Sequence, residues 1–251
     1  MNPKLTVAIL AAGKGTRMKS DLPKVLHPVG GEPMLIHVVH LAEDIGADQV
    51  IAIIGHQKER VIDAIKSTET QWVVQEPQLG TGHAVQQVEP LVKGSDGDLL
   101  VLSGDVPLLR QKTLEALIQS HRSSHRAATL LTANFSDPSG YGRIIRNEQS
   151  ELLRIVEDKD CTLEEKKIHE INAGIYIFRI AHLFEALKQV KNNNVQQEYY
   201  LPDVLPILVE QGEHVGLEVL ADPMEIQGVN TPEQLKEINR IFRTRYENIH
   251  D

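Results

Sequence analysis

Two groups of residues near the ends of apolar runs carry the types that chemistry needs. The first follows Val7 to Leu10: Ala11, Ala12, Gly13, Lys14, Gly15, Thr16 and Arg17, with a Pro23-Lys24 step soon after. Glycine has no Cβ and lets backbone approach a ligand closely. Small residues, free amides and cations at a strand end suit a phosphate-bearing ligand. The second group is Ser103-Gly104-Asp105-Val106-Pro107, just after the apolar run Leu99 to Leu102. A carboxylate at the carboxyl end of a central strand is placed to hold Mg2+ beside a phosphate. Alone, Asp105 reads better as the residue that starts the turn before Pro107, and the glycines alone read equally well as an ordinary strand-to-helix turn. The two groups together favour a phosphate site. Two familiar phosphate loops are excluded. A dinucleotide fingerprint needs a third glycine where Met18 stands. A Walker A loop needs four residues between its glycines and then Lys with Ser or Thr.

Further candidates lie along the chain. Gln75 to Ala84 is another strand end that becomes a glycine turn and a helix. The Gln75 amide both donates and accepts and can read a base edge, while Gly80 and Thr81 offer backbone amides; Thr81 is equally a good helix cap. Glu157 and Asn172 flank a polar, turn-rich region, and Asn230 offers a neutral oxygen. Asn192 to Asp203 is polar, then aromatic, and fits a sugar site or a solvated loop alike. His37 with His40 and His121 with His125 have metal-compatible spacing, but Arg122 stands where a zincin needs Glu. A single cysteine, Cys161, has no partner for an internal disulfide and reads as incidental.

The elements that must position these residues follow from periodicity. Apolar runs at Leu5 to Leu10, Val50 to Ile54, Trp72 to Val74, Leu99 to Leu102, Ala127 to Thr132 and Ile175 to Phe178 read as strands. Met34 to Ala42, Lys58 to Ile65 and Thr113 to His121 read as helices between them. Buried strands alternating with helices imply a mostly parallel, doubly wound α/β sheet, whose ligands bind at the carboxyl ends of its strands. Asp137 to Asn172 reads as an insertion: a turn at Pro138 to Gly142, a hairpin over Arg143 to Val156, then a charged loop or short helix. Thr231 caps a C-terminal helix with Pro232 in its first turn.

Composition narrows the partners. The 251 residues are 41% hydrophobic and 4% aromatic, with a formal charge of −9. That balance disfavours nucleic acid as a partner, since duplex affinity rests on phosphate neutralisation. The sequence shows no signal peptide and no stretch long enough to span a membrane, so a cytoplasmic location is expected.

Taken together, the chain resembles the uridyltransferase domain of the bacterial bifunctional N-acetylglucosamine-1-phosphate uridyltransferase/glucosamine-1-phosphate acetyltransferase family, over nearly its whole length. Leu10 to Met18 with Leu22 to His27 looks like the signature loop of sugar-nucleotidyltransferases in general. Gln78 to Ala84, Gly140 to Ile144, Ile155 to Glu157, Glu170 to Asn172, Asn192 to Asn194 with Glu198 to Tyr200, and Gly228 to Asn230 carry the narrower likeness. The resemblance implies a Rossmann-like nucleotidyltransferase sheet with a small β-rich sugar-binding lobe, and transfer of UMP from UTP to N-acetylglucosamine 1-phosphate. The products would be UDP-N-acetylglucosamine and pyrophosphate. It implies that Leu10, Ala11, Ala12 and Gly13 contact the nucleotide and that Gln75, Gly80 and Thr81 read the uracil. Ser103 and Gly104 join the substrate contacts, and Asp105 and Asn230 hold Mg2+. Gly142, Glu157 and Asn172 hold the acetamido sugar, while Arg17 and Lys24 stabilise phosphate charge. Residues 1–230 would form the transferase domain, and 231–251 a helix leading toward the family's acetyltransferase β-helix. No hexapeptide repeats of that β-helix occur in this sequence, so acetyl transfer is not expected and trimerisation is in doubt. Ser103 replaces a tyrosine found in some members, and Ala173 stands where threonine is expected. Another sugar phosphate, CTP as donor, or a sugar-nucleotide-binding protein without catalysis are the competing readings.

Overall fold

The computed structural model describes residues 3–247. Its strands are β1 (Leu5–Ala11), β2 (Pro28–Val29), β3 (Glu32–Pro33), β4 (Gln49–Ile54), β5 (Gln71–Val74), β6 (Asp98–Ser103), β7 (Ala128–Asn134), β8 (Arg143–Arg146), β9 (Leu152–Val156), β10 (Glu170–Arg179) and β11 (Val215–Val219). Its helices are α1 (Met34–Asp44), α2 (Lys58–Ile65), α3 (Thr81–Gln86), α4 (Glu89–Val92), α5 (Gln111–Ser123), α6 (Ile180–Leu187), α7 (Val204–Glu210) and α8 (Pro232–Glu247).

The apolar runs separate onto two faces by the period of two that a strand imposes. Val7, Ile9, Ala52, Ile54, Leu100 and Leu102 point to one face, where α1, α2 and α5 cover them. Ala8, Ile51, Ile53, Leu99 and Val101 point to the other, under α3, α6 and α7. Helices on both faces explain why the central strands are apolar along their whole length. The order is β11-β7-β10-β6-β1-β4-β5, and every pairing along it is parallel except those of β10 with β6 and β7. β1 lies between β4 and β6, so the chain winds away from it in both directions. That is the switch point where the carboxyl ends of two strands open a crevice.

The doubly wound sheet matches the sequence expectation, with several differences. β10 runs antiparallel and begins at Glu170, ahead of the expected Ile175. Its register on β7 shifts between Asn172 and Tyr176; Gly174, at φ 71°, accommodates the bend. The inserted hairpin is present as β8 and β9, but it is continuous with the main sheet, because Arg143 pairs with Ile171 of β10. Only a single turn of 3-10 helix, Glu165–Lys167, forms in the charged segment after it. α6, α7 and β11 escaped the sequence reading; Gly212 and Gly216 bracket or interrupt the β11 signal. Asn230 follows a 3-10 turn, Pro223–Ile226. Thr231 caps α8 as expected, accepting from the Gln234 N–H at 3.3 Å. No helix among the described residues is long and apolar enough to cross a membrane.

Candidate active site at the carboxyl edge of the sheet

The ends of β1 and β6 are locked side by side. Leu10 pairs with Ser103, and the Gly104 N–H donates to the Leu10 carbonyl at 3.0 Å. A Cβ at Gly104 would lie 3.1 Å from that carbonyl and 3.2 Å from Val25 Cγ1, so a side chain would wedge the strand ends apart. Beyond β1 the chain is held from one side only. The Ala12 carbonyl accepts from Gln78 Nε2 at 3.0 Å and from the His56 N–H at 3.2 Å. Gly13, next in sequence, has nothing within 4 Å of the position a Cβ would take. The backbone is thus fixed while one face stays open. Gly15, at φ 60°, turns the loop down onto Lys24, whose Cβ lies 2.6 Å from the position of an added Cβ. A 3-10 turn, Thr16–Met18, then buries Met18 and leaves Arg17 exposed.

The four charge-bearing and metal candidates converge. Lys24 Nζ donates to Asp105 Oδ2 at 2.5 Å and to Asn230 Oδ1 at 3.3 Å. The Arg17 guanidinium donates to the same Asn230 oxygen at 2.9 Å. Asp105 and the Asn230 segment are tied through backbone as well, the Val229 N–H donating to the Asp105 carbonyl at 3.1 Å. Lys24 and Asp105 retain 20% and 13% of their side-chain exposure, enough for a ligand to reach them. The two oxygens that share the Lys24 ammonium are hard donors, one carboxylate and one amide. Mg2+ is commonly held this way, through one or two protein oxygens completed by substrate phosphates and water. Among the described residues no group of three or more His, Cys, Asp or Glu is arranged to hold a metal. The donor set therefore fits a substrate-bridged cation rather than a protein cage.

Just past the end of β5, beyond β4 on the sheet, the buried Gln75 donates its side-chain N–H to the Gly80 carbonyl at 2.8 Å. Its amide nitrogen thus holds the glycine turn in shape. Gly80, at φ 104°, sits against Tyr199, whose carbonyl lies 2.6 Å from the position of an added Cβ. The Gly82 N–H donates to that carbonyl and the Tyr199 N–H to the Leu79 carbonyl, both at 2.8 Å. Thr81 does not cap α3. Gly80 holds the capping position, and the Thr81 hydroxyl instead accepts from the Leu201 N–H at 3.0 Å.

Gly142, Glu157 and Asn172 also come together. A Cβ at Gly142 would lie 3.2 Å from Glu157 Oε1, 3.1 Å from Ile155 Cγ2 and 3.5 Å from Asn172 Cβ. The Asn172 N–H donates to the Gly142 carbonyl at 2.8 Å. The Asn172 carboxamide is fixed at both ends: Oδ1 accepts from the Gly174 N–H at 2.8 Å and Nδ2 donates to the Tyr176 hydroxyl at 2.6 Å. Its second N–H is left for a ligand. Burial first, and then the carboxylates of Asp203, Asp160, Asp158 and Glu198, push Glu157 up to about 7. Burial and Asp160 push Asp203 up to about 6. Glu157, Asp160 and Asp203 share the walls of a cavity of about 380 Å³ with Lys191, Tyr200 and Asn194.

Several participants escaped the sequence reading. Tyr176 and Tyr199 act through contacts made only in the fold. Gln78, which anchors Ala12, belongs to a motif that carries the family likeness, but its residue type alone does not show this role. Gln234 had a readable signal, the Thr-x-x-Gln spacing of a capping box. The other candidates are structural. His37 Nε2 lies 2.8 Å from the Val29 carbonyl, and the buried His121 packs on Thr129 at 3.0 Å. Burial raises the Cys161 thiol, away from the thiolate a nucleophile needs.

Known proteins resemble this chain in sequence and in fold. Residues 7–195 match the family model described as the MobA-like NTP transferase domain. The bifunctional protein GlmU of Syntrophomonas wolfei is 44% identical over 96% of this chain and 54% of its own length. That of Streptococcus gordonii is 47% identical over 96% of this chain and 52% of its own. The chain thus spans about half the length of the curated relatives it matches. A solved UDP-glucose pyrophosphorylase in complex with UDP-glucose superposes with a TM-score of 0.73 at 18% identity, over 96% of this chain and 99% of that one. At that identity the likeness is one of fold.

Proposed function

The chain belongs to the family of MobA-like NTP transferase domains, and from that premise we propose that it is a uridylyltransferase making UDP-N-acetylglucosamine and pyrophosphate from UTP and N-acetylglucosamine 1-phosphate. The observation that carries this reading is the convergence of two separate groups on one sheet edge. Arg17, Lys24, Asp105 and Asn230 gather at one end, and Gly142, Glu157 and Asn172 at the other. The substrate identities rest on the motif resemblance to the uridyltransferase domain, which the likeness to bifunctional proteins supports.

In this reading a phosphate oxygen of the sugar phosphate forms a bond to the α-phosphorus of UTP. The bond from that phosphorus to the oxygen bridging to the β-phosphate breaks, and pyrophosphate leaves with those electrons. The nucleophile is already an anion, so no general base is needed; positioning and charge neutralisation do the work. Leu10, Ala11, Ala12 and Gly13 present backbone to the nucleotide, with Ser103 and Gly104 at the neighbouring strand end. Gln75, Gly80 and Thr81 read the uracil. Lys24 brings a point charge and Arg17 a planar fork to the phosphates. Gly142 leaves room for the sugar, while Glu157 and Asn172 offer it an acceptor and a fixed donor. Asp105 and Asn230 would hold Mg2+, which supplies Lewis-acid stabilisation and orientation when bound. Residues 1–230 carry all of these positions and form the transferase unit.

The test is chromatographic identification of the product from UTP, MgCl2 and a panel of sugar 1-phosphates, repeated with CTP. UDP-N-acetylglucosamine should dominate. A CDP-sugar or a non-acetylated sugar nucleotide formed with greater efficiency would replace this substrate assignment.

A further inference from the structure

We infer that Gln234 is a positioning residue for Asn230, holding its backbone so that the side-chain oxygen meets the phosphate-site cations. The inference rests on the nucleotidyltransferase reading of that site. Gln234 Oε1 accepts from the Asn230 N–H at 2.7 Å and from the Thr231 N–H at 3.1 Å, while the Gln234 N–H donates to Thr231 Oγ1 at 3.3 Å. An ordinary capping box joins the cap residue and the third helical residue reciprocally. Here the glutamine reaches one residue further back, and that additional bond is the shortest of the three. It adds little to helix capping, which the two Thr231 bonds already provide. What it holds is the residue whose side-chain oxygen accepts from both Arg17 and Lys24.

The anchor behind Gln234 is firm. Asn239 on α8 donates to the Pro28 carbonyl at 3.1 Å and accepts from the Gly30 N–H at 3.0 Å, joining the helix to the β2–β3 hairpin. Arg245 donates to the Leu108 carbonyl at 3.2 Å and to Asp222 at 3.0 Å. Ile238 is fully buried beside Met18, Met34 and Val229. The Val229–Thr231 segment is therefore pinned from two sides, by the Asp105 carbonyl at Val229 and by Gln234 at Asn230 and Thr231. Without the second pin, Asn230 is free to pivot about Val229. Small displacements of a positioned group are costly in such sites, and partners that orient a metal ligand commonly matter about tenfold or more for metal affinity.

Three variants of the full chain separate positioning from helix stability. In each, Mn2+ binding in the presence of UTP is measured by electron paramagnetic resonance, alongside the thermal midpoint and the KM for N-acetylglucosamine 1-phosphate. Gln234→Ala should weaken Mn2+ binding about tenfold, with the sugar-phosphate KM unchanged within about twofold. Gln234→Glu should restore binding, because a carboxylate oxygen accepts both N–H groups. Thr231→Ala removes the reciprocal cap and should lower the thermal midpoint while leaving Mn2+ binding at the parent level. Parent-level binding in Gln234→Ala overturns the inference, as does equal weakening in Thr231→Ala. A parent protein that releases no pyrophosphate and binds no Mn2+ with UTP removes the site reading itself, a result distinct from either.

Discussion

On the proposed reading a phosphate end (Arg17, Lys24, Asp105, Asn230) and a sugar end (Gly142, Glu157, Asn172) lie on the same sheet edge, yet their electrostatics differ. At the phosphate end two cations crowd around one carboxylate and one amide, partly exposed, beside a glycine loop with an open face. At the sugar end acids predominate: Glu157, Asp160 and Asp203 line the cavity with Lys191 as a single cation. Burial, with Asp203 and Asp160 nearby, raises Glu157, burial and Asp160 raise Asp203, and Asn172 and Tyr176 are buried and mutually hydrogen-bonded. The first arrangement would attract negative charge; the second is rich in acids and would offer fixed neutral donors. On that reading, a ligand with a polyphosphate at one end and a neutral ring at the other would be favoured in one orientation. Such discrimination needs the repulsive element as much as the attractive one.

Variants at each end should therefore fail in different kinetic parameters. The largest effect belongs to Arg17→Ala, which should lower kcat more than about tenfold, the scale of other lost transition-state contacts. Unchanged steady-state turnover would take Arg17 out of the mechanism. Gly142→Ala places a methyl 3.1 Å from Ile155 Cγ2 and 3.2 Å from Glu157 Oε1. Its effect should be confined to the sugar, raising the sugar-phosphate KM about tenfold with the UTP KM unchanged; a rise in both would erase the division between the two ends. Tyr176→Phe leaves Asn172 Nδ2 without its buried partner. It should cost about 1–3 kcal/mol of stability and raise the sugar-phosphate KM a few-fold, seen by chemical denaturation and initial rates. The smallest effect is a pH slope. Folded Glu157 lies at about 7 against an ordinary 4.5, so between those values the folded state binds more protons than the unfolded one. Stability should fall as pH rises through that window, and Glu157→Gln should flatten the fall in thermal midpoint. An identical slope in the variant would show that Glu157 is not the titrating group.

The two ends also differed in how far the sequence revealed them. The phosphate end was legible because strand ends announce themselves: apolar runs stop at Ala11 and Ser103, and glycines, cations and an acid follow at once. Parallel strands then bring those stops to one edge, so order along the chain became proximity in space. The sugar end was legible in its members but not in its construction. Gly142, Glu157 and Asn172 are separated by a hairpin whose attachment to β10 depends on one antiparallel strand and a register shift. Periodicity cannot reveal direction or bulges, so Tyr176 read only as core. Thr81 was open to a capping role because residue type favours it, but a left-handed glycine before it took that place and freed its hydroxyl for Leu201. α6 and α7 were missed because their buried faces are defined by the sheet they cover.

The most direct measurement of the two-ended account is pyrophosphate release from UTP and Mg2+ with N-acetylglucosamine 1-phosphate or glucose 1-phosphate as acceptor. Release should depend on the acceptor and favour the acetamido sugar, through a lower KM rather than a higher kcat. Release only with glucose 1-phosphate, or none with either sugar, would contradict the assignment.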